Sequence, residues 1–235
     1  YIEWTEITTI KRILPGQSVV VSCFPVFDDK IVEKMTSSQE VVEIKLSSGM
    51  YRKEESFAIE IKGRSDFVYT SIPASEISSY SEMTDNSELL ACFVTPEDPI
   101  VQYYTQQIQE KILKGETASV TRDPNEAVRF LAGIYQAALQ THMVYSGTKG
   151  IPENFDDVNS LVQHLRLPRE VITGNTGLCI ELSLLYASIM SNAGLSPVIF
   201  LVPGHAFPGF VMNDQYFAIE ATGIRGEGLG KISSP

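Results

Sequence analysis

Cys179, His205 and Glu220 bring a thiol, an imidazole and a carboxylate, in that order, into the last third of the chain. A thiolate is a strong nucleophile, an imidazole can take its proton, and a carboxylate can orient the ring and support its cation. Such a set performs acyl transfer: sulfur attacks the carbon of an amide and the imidazole carries a proton to the leaving amine. Each residue also has a plainer reading, since buried structural cysteines and strand-end histidines are common. The local setting of each therefore decides how much weight it carries.

Cys179 opens the run Asn175–Gly194, which reads as one helix that is apolar nearly all round. Leu178, Leu182, Leu185 and Ile189 keep helical spacing, while Leu184, Ala187 and Met190 fill much of the other side. Asn175 and Thr176 are candidate N-caps, Asn192 and Gly194 suit the C-terminus, and Pro197 lies just beyond. A cysteine at such a start meets unpaired N–H groups and the positive end of the macrodipole, which favour thiolate over thiol. The N–H groups of Leu178 and Cys179 are candidates to hold an oxyanion. Pro197–Val202 reads as a buried strand, and the following Gly204-His205 puts the imidazole at a strand end. Gly209–Met212, an Asn213-Asp214 turn and Tyr216–Thr222 continue the pattern, with Phe217 and Ile219 on one face and Tyr216, Ala218 and Glu220 on the other. Glu181, in the first turn of the cysteine helix, is the alternative carboxylate.

These motifs carry a resemblance. Gly177-x-Cys179-x-Glu-x-Ser-x-Leu-Leu-x-Ala, Ala193-Gly194-Leu195, Gly204-His205-Ala206 and Ile219-Glu220-Ala-Thr222 resemble the transglutaminase-like superfamily, with Leu167-Pro168-Arg-Glu-Val171 as a usual lead-in. The likeness covers the last third firmly and the middle, back to Tyr145, more weakly. It implies a papain-like Cys-His-Asp core in which Cys179 is nucleophile, His205 base and Glu220 orienting carboxylate. Two positions depart from the pattern: Glu220 stands where Asp is usual, and Phe207 where Trp is frequent. Neither a metal nor a cofactor is implied.

Composition bounds the alternatives. The chain has 235 residues, 43% hydrophobic and 20% charged, an ordinary globular balance. A net charge of −11 without a basic cluster argues against a nucleic-acid surface. No apolar run reaches the roughly 18–20 residues of a membrane helix. Opening on Tyr1 rather than Met, the chain reads as a piece of a longer protein that has room for further domains. Cys23 and Cys92 lie in strand-like runs, either as a bridge that would suit an exported protein or as two separate buried thiols. Export is favoured over the cytoplasm. His142 and His164 are too far from any cysteine motif to suggest zinc, and His142 reads as a dipole partner at a helix C-terminus.

The elements that must position the three groups form an α+β arrangement. Ser18–Val26, Glu40–Leu46, Phe57–Ile61, Phe67–Ile72 and Leu89–Val94 predict short strands of an antiparallel, immunoglobulin-like β-sandwich over residues 1–95. The Thr95–Pro99 stretch is the predicted junction, and residues 96–235 form the predicted papain-like catalytic domain. Helices are expected at 100–113, from Pro124 to about Met143, and at 156–165, with a Gly-rich surface tail after Thr222. The expected function is thiol-dependent acyl transfer on a protein or peptide substrate, with hydrolysis favoured. A cross-linking transglutaminase and an inactive fold kept as a binding module are the alternatives.

Overall fold

The computed structural model describes residues 4–23, 26–115, 123–147, 151–154 and 161–224. Helix and strand are mixed along the chain. Two compact units are present, Tyr1–Asp66 and Phe67–Pro235.

The first unit is built on one hairpin. Strands β1 (Ser38–Ser48) and β2 (Tyr51–Ile61) pair antiparallel in continuous register from Ser38↔Ile61 to Ser48↔Tyr51, and Gly49 takes positive φ at the turn. Val42, Ile44, Phe57 and Ile59 share a face by this register. The expected sandwich strand at Ser18–Val26 has no strand among its described residues, so this unit shows one two-stranded sheet rather than two packed ones.

Residues 67–93, expected to continue the sandwich, instead belong to the second unit. Strand β3 (Asp66–Val68) is followed by the short helix α1 (Tyr80–Met83), closed by a Ser79–Glu82 capping box, and by a 3-10 helix over Ser87–Phe93. Leu90 and Phe93 are three apart, one turn of a 3-10 helix, and both are buried. This 3-10 helix replaces the strand expected at Leu89–Val94. Phe67, Tyr69, Leu90 and Phe93 share a cluster with Cys179, Ile180 and Leu184, which is why the division falls after Asp66 and not at Thr95–Pro99.

Helix α2 (Pro99–Gln107) starts at an Asp98 cap and runs into a π-helical turn at Ile108–Ile112. Helix α3 (Pro124–Gln140) begins the same way, with the Asp123 carboxylate accepting from Asn125 N–H and proline at the first position. Strands β4 (Val144–Tyr145) and β5 (Val162–His164) come next. The helix expected over 156–165 is replaced at its described end by β5, which pairs with β3; residues 155–160 lie outside the described set. Helix α4 (Pro168–Gly174), strand β6 (Thr176–Gly177) and helix α5 (Cys179–Asn192) lead into the meander β7 (Ser196–Val202), β8 (His205–Met212) and β9 (Gln215–Ala218).

Helix α5 is the centre of this unit. Every residue from Cys179 to Met190 is buried. Leu182, Leu185 and Ile189 join Val101 of α2 and Phe130 and Ile134 of α3 in one cluster, while Ile180 and Leu184 join Tyr69 and Phe93 in the other. Each fully buried Leu or Ile contributes roughly 1.5–3 kcal/mol.

Asn213 and Asp214, with φ of 52° and 59°, form the two-residue turn between β8 and β9. Gly209 of β8 is fitted against β9 so closely that a Cβ there would lie 2.1 Å from the Phe217 carbonyl oxygen and 2.9 Å from the Phe200 ring. Gly209→Ala therefore has to push β9 away from β8. We expect it to cost about 1–3 kcal/mol, read as a lowered Tm in thermal unfolding; an unchanged Tm would show that β9 yields freely.

Candidate functional site

The start of α5 is set by a turn and a carboxylate. The expected continuous helix from Asn175 is broken: Asn175 is left-handed (φ 52°) and ends α4, and Thr176–Gly177 pairs in parallel with β4. The Asn175 side-chain amide donates to the carbonyls of Thr141 (2.6 Å) and His142 (3.0 Å), tying this turn to the end of α3. Leu178, not Asn175 or Thr176, is the N-cap.

Glu181 completes that cap. Its Oε2 accepts from Leu178 N–H (2.9 Å) and from Arg166 Nη2 (2.7 Å), and its Oε1 accepts from Arg166 N–H (2.8 Å) and Nε (3.1 Å). At 1% exposure it is a buried carboxylate fully committed to Arg166 and the helix start. Its oxygens therefore do not serve as the alternative partner of His205. The pairing also holds the Arg166 guanidinium above its ordinary pKa, chiefly through the Glu181 hydrogen bonds. Because Leu178 N–H donates to Glu181, it is not the oxyanion donor expected from the sequence. The N–H of Cys179, first residue of the helix, has no intrahelical partner.

The thiol of Cys179 is 1% exposed. The backbone N–H groups of Ala206, Ile180 and Ile151 favour its charged form. Burial pushes the thiol up, the three N–H groups pull it down, and the negative Glu220 adds a smaller upward push. The net direction is upward. This corrects the expectation of a preformed thiolate: desolvation outweighs the helix terminus.

His205 is the first residue of β8, next to Ala206 of the Cys179 cluster. The preceding Gly204 (φ 77°) makes the β7–β8 turn, and its N–H reaches the Pro152 carbonyl at 3.4 Å. Glu220 lies two residues beyond the end of β9, with its Oε2 2.7 Å from His205 Nε2. The ring nitrogen engaged is Nε2, and Nδ1 lies outside this pair. Glu220 Oε1 accepts from Thr222 N–H (2.9 Å) and Oγ1 (2.5 Å). Burial raises this carboxyl, but the Thr222 and His205 hydrogen bonds together hold it below its ordinary value. It is a carboxylate at neutral pH.

Phe207, where Trp is frequent in the superfamily, stacks on Phe200 with centroids 5.0 Å apart, and Tyr216 meets Phe200 edge-on at 6.2 Å. His142 sits just past α3 with positive φ, its carbonyl held by Asn175. Among the described residues no group of three His, Cys, Asp or Glu side chains could hold a metal ion. Cys23 and Cys92 are free and exposed, neither bridged nor buried. No described helix is long and apolar enough to cross a membrane. The glycine-rich tail from residue 225 onward lies outside the described residues.

Sequence reasoning missed Ile151, which packs in the Cys179 cluster, and the buried pair Tyr69 and Gln163.

No family model matches this chain, and no curated protein matches it. Its structure is similar to the crystal structure of a candidate cysteine protease from Cytophaga hutchinsonii, with 11% identity and a TM-score of 0.35. The alignment covers 81% of this chain and 66% of that one. This is a distant likeness of fold, and a TM-score of 0.35 carries no argument beyond that.

The raised thiol predicts the order of chemical labelling. Iodoacetamide should modify exposed Cys23 and Cys92 first near neutral pH, with Cys179 following slowly and gaining rate only above the ordinary thiol range. The same shift makes a stability contribution that is present below the unfolded thiol pKa and lost as pH rises through the folded value. Peptide mass mapping over a pH series checks this. Fast labelling of Cys179 at pH 6 would show that its thiol is ionised after all.

Proposed function

We propose that this chain is a cysteine hydrolase acting on amide or peptide bonds, with Cys179 as nucleophile, His205 as general base and then acid, and Glu220 as orienting residue. One observation carries the reading: His205 Nε2 is held 2.7 Å from Glu220, and the next residue, Ala206, packs in the same buried cluster as Cys179. The three groups that the superfamily resemblance implies thus come from a helix start, a strand start and a strand exit. The likeness in fold to a candidate cysteine protease is consistent with this reading but adds no residue-level support.

Because burial keeps the thiol protonated at rest, proton transfer accompanies attack and does not precede it. The sulfur's proton goes to His205 Nδ1 as the S–C bond forms. Glu220, ionised at neutral pH, supports the imidazolium through Nε2. The imidazolium returns that proton to the amine as the C–N bond breaks, and water then cleaves the thioester. Water is the proposed acceptor because hydrolysis needs no second substrate site, whereas cross-linking does.

The second reading, a binding module on an inactive fold, is favoured by one specific observation, the near-complete burial of the thiol. Single substitutions separate the two, assayed on a mixed peptide pool with Tm as a control. Cys179→Ala should abolish hydrolysis, His205→Ala should lower it nearly as far, and Glu220→Gln should lower it roughly 10–10³-fold. Wild-type protein without hydrolysis at any pH from 6 to 10 supports the binding module. A Glu220→Gln variant of full activity removes Glu220 from the mechanism.

A further inference from the structure

We infer that the open edge of β7 is a docking site for an extended peptide with apolar side chains two residues apart and basic residues beside them. The inference goes beyond the hydrolase reading and does not rest on it. Strand β7 pairs with β8, and among the described residues no strand pairs with its other edge. The Pro208 carbonyl accepts from Ile219 N–H at 3.0 Å, so Pro208 turns its backbone groups toward the β9 side and away from β7. In an antiparallel ladder the residue opposite is turned away in the same manner, and the pattern repeats every second residue. Ile199 lies opposite Pro208, and Leu201 opposite Ala206. Both therefore aim their N–H and C=O groups off the open edge, where no backbone bond from the described residues reaches them.

Beside that edge lies a cleft of about 510 Å³, within the range of ligand sites. It is lined by Ile199 and Leu201 of β7, Leu90 and Ala91 of the 3-10 helix, and Ala187 and Ser191 of α5, all within the second unit. Edge strands are commonly guarded by a charged side chain, and β7 carries none.

The two features together define the occupant. A compact apolar molecule would fill the cleft and leave the backbone groups of Ile199 and Leu201 to water. An extended backbone uses both. Lying antiparallel to β7, its residues opposite Ile199 and Leu201 exchange hydrogen bonds with them. Paired residues share a face, so those two side chains enter the cleft, while the residue between them points the other way. Exposed Glu88 also lines the cleft, and the chain has a net charge of −11, which favours a basic peptide over an acidic one.

The test uses the full 235-residue chain carrying Cys179→Ala, so that binding is read apart from any hydrolysis. The probe is a fluorescein-labelled heptapeptide with lysine at both ends, valine at its third and fifth positions and threonine elsewhere, followed by fluorescence anisotropy. Saturable binding is expected. N-methylation of either valine removes an N–H aimed at β7 and should weaken binding about tenfold or more, while N-methylation of the central threonine should leave it unchanged. Ala91→Trp, which fills the cleft from an exposed position, should weaken it by a similar factor. Glu88→Lys, or glutamate in place of both lysines, should cost roughly 2–5-fold. The methylated series on the unaltered chain gives the same reading if a variant does not fold. Absence of binding, or a loss that ignores which amide is methylated, overturns the assignment. Sedimentation run alongside detects the rival occupant: a dimer that Ala91→Trp dissolves puts a second copy of the chain on this edge and overturns the peptide assignment as well.

Discussion

Almost everything in the second unit follows from the burial of helix α5 on all sides. A helix with Leu, Ile, Met and Ala round its circumference cannot lie on a surface, so other elements must wrap it: α2 and α3 on one side, the segment from Phe67 to Phe93 on the other, and the β7–β8 hairpin along it. That wrapping draws residues 67–93 out of the hairpin unit and into this core. It also places Cys179 in a nearly dry position. The ionisation of the thiol is therefore governed by desolvation first and by the N–H of Ala206, from β8, second.

Burial of polar groups at such a site demands complete partnering, and the two carboxylates near it are partnered separately. Glu181 is consumed by Arg166 and the first turn of α5. It orders the backbone that presents the cysteine. Glu220 is held by Thr222 on one oxygen and by His205 on the other, so its orientation is determined from both ends. Glu220 stands two residues past the end of β9 and reaches the imidazole from there.

The strands and helices whose pattern was dense were legible from the sequence. The starts of α2 and α3, each with Asp before Pro, the β7–β8–β9 meander with its Asn213-Asp214 turn, and the hairpin core of 40–46 and 57–61 all follow from local capping, turn chemistry and alternation. The second-unit 3-10 helix at Ser87–Phe93 did not, because five or six residues with apolar positions two to three apart suit either a strand or a tight helix. Nor did the break at Asn175, since a left-handed asparagine inside a helix-like pattern is stabilised by the carbonyls of Thr141 and His142, more than thirty residues away.

At the candidate site, sequence alone determined the types and order of Cys179, His205 and Glu220 and the elements they stand on. Those properties depend on residue identity and local periodicity, which a linear chain displays. Tertiary structure alone decided which carboxylate meets the imidazole, which ring nitrogen it meets, and that the thiol is held protonated. It also decided that Ile151 and Ala206 pack in one cluster with Cys179 and that a buried glutamine is anchored by Tyr69. Each of those outcomes is a distance or a degree of desolvation between residues remote in the chain, and such quantities exist only once the core has closed around α5.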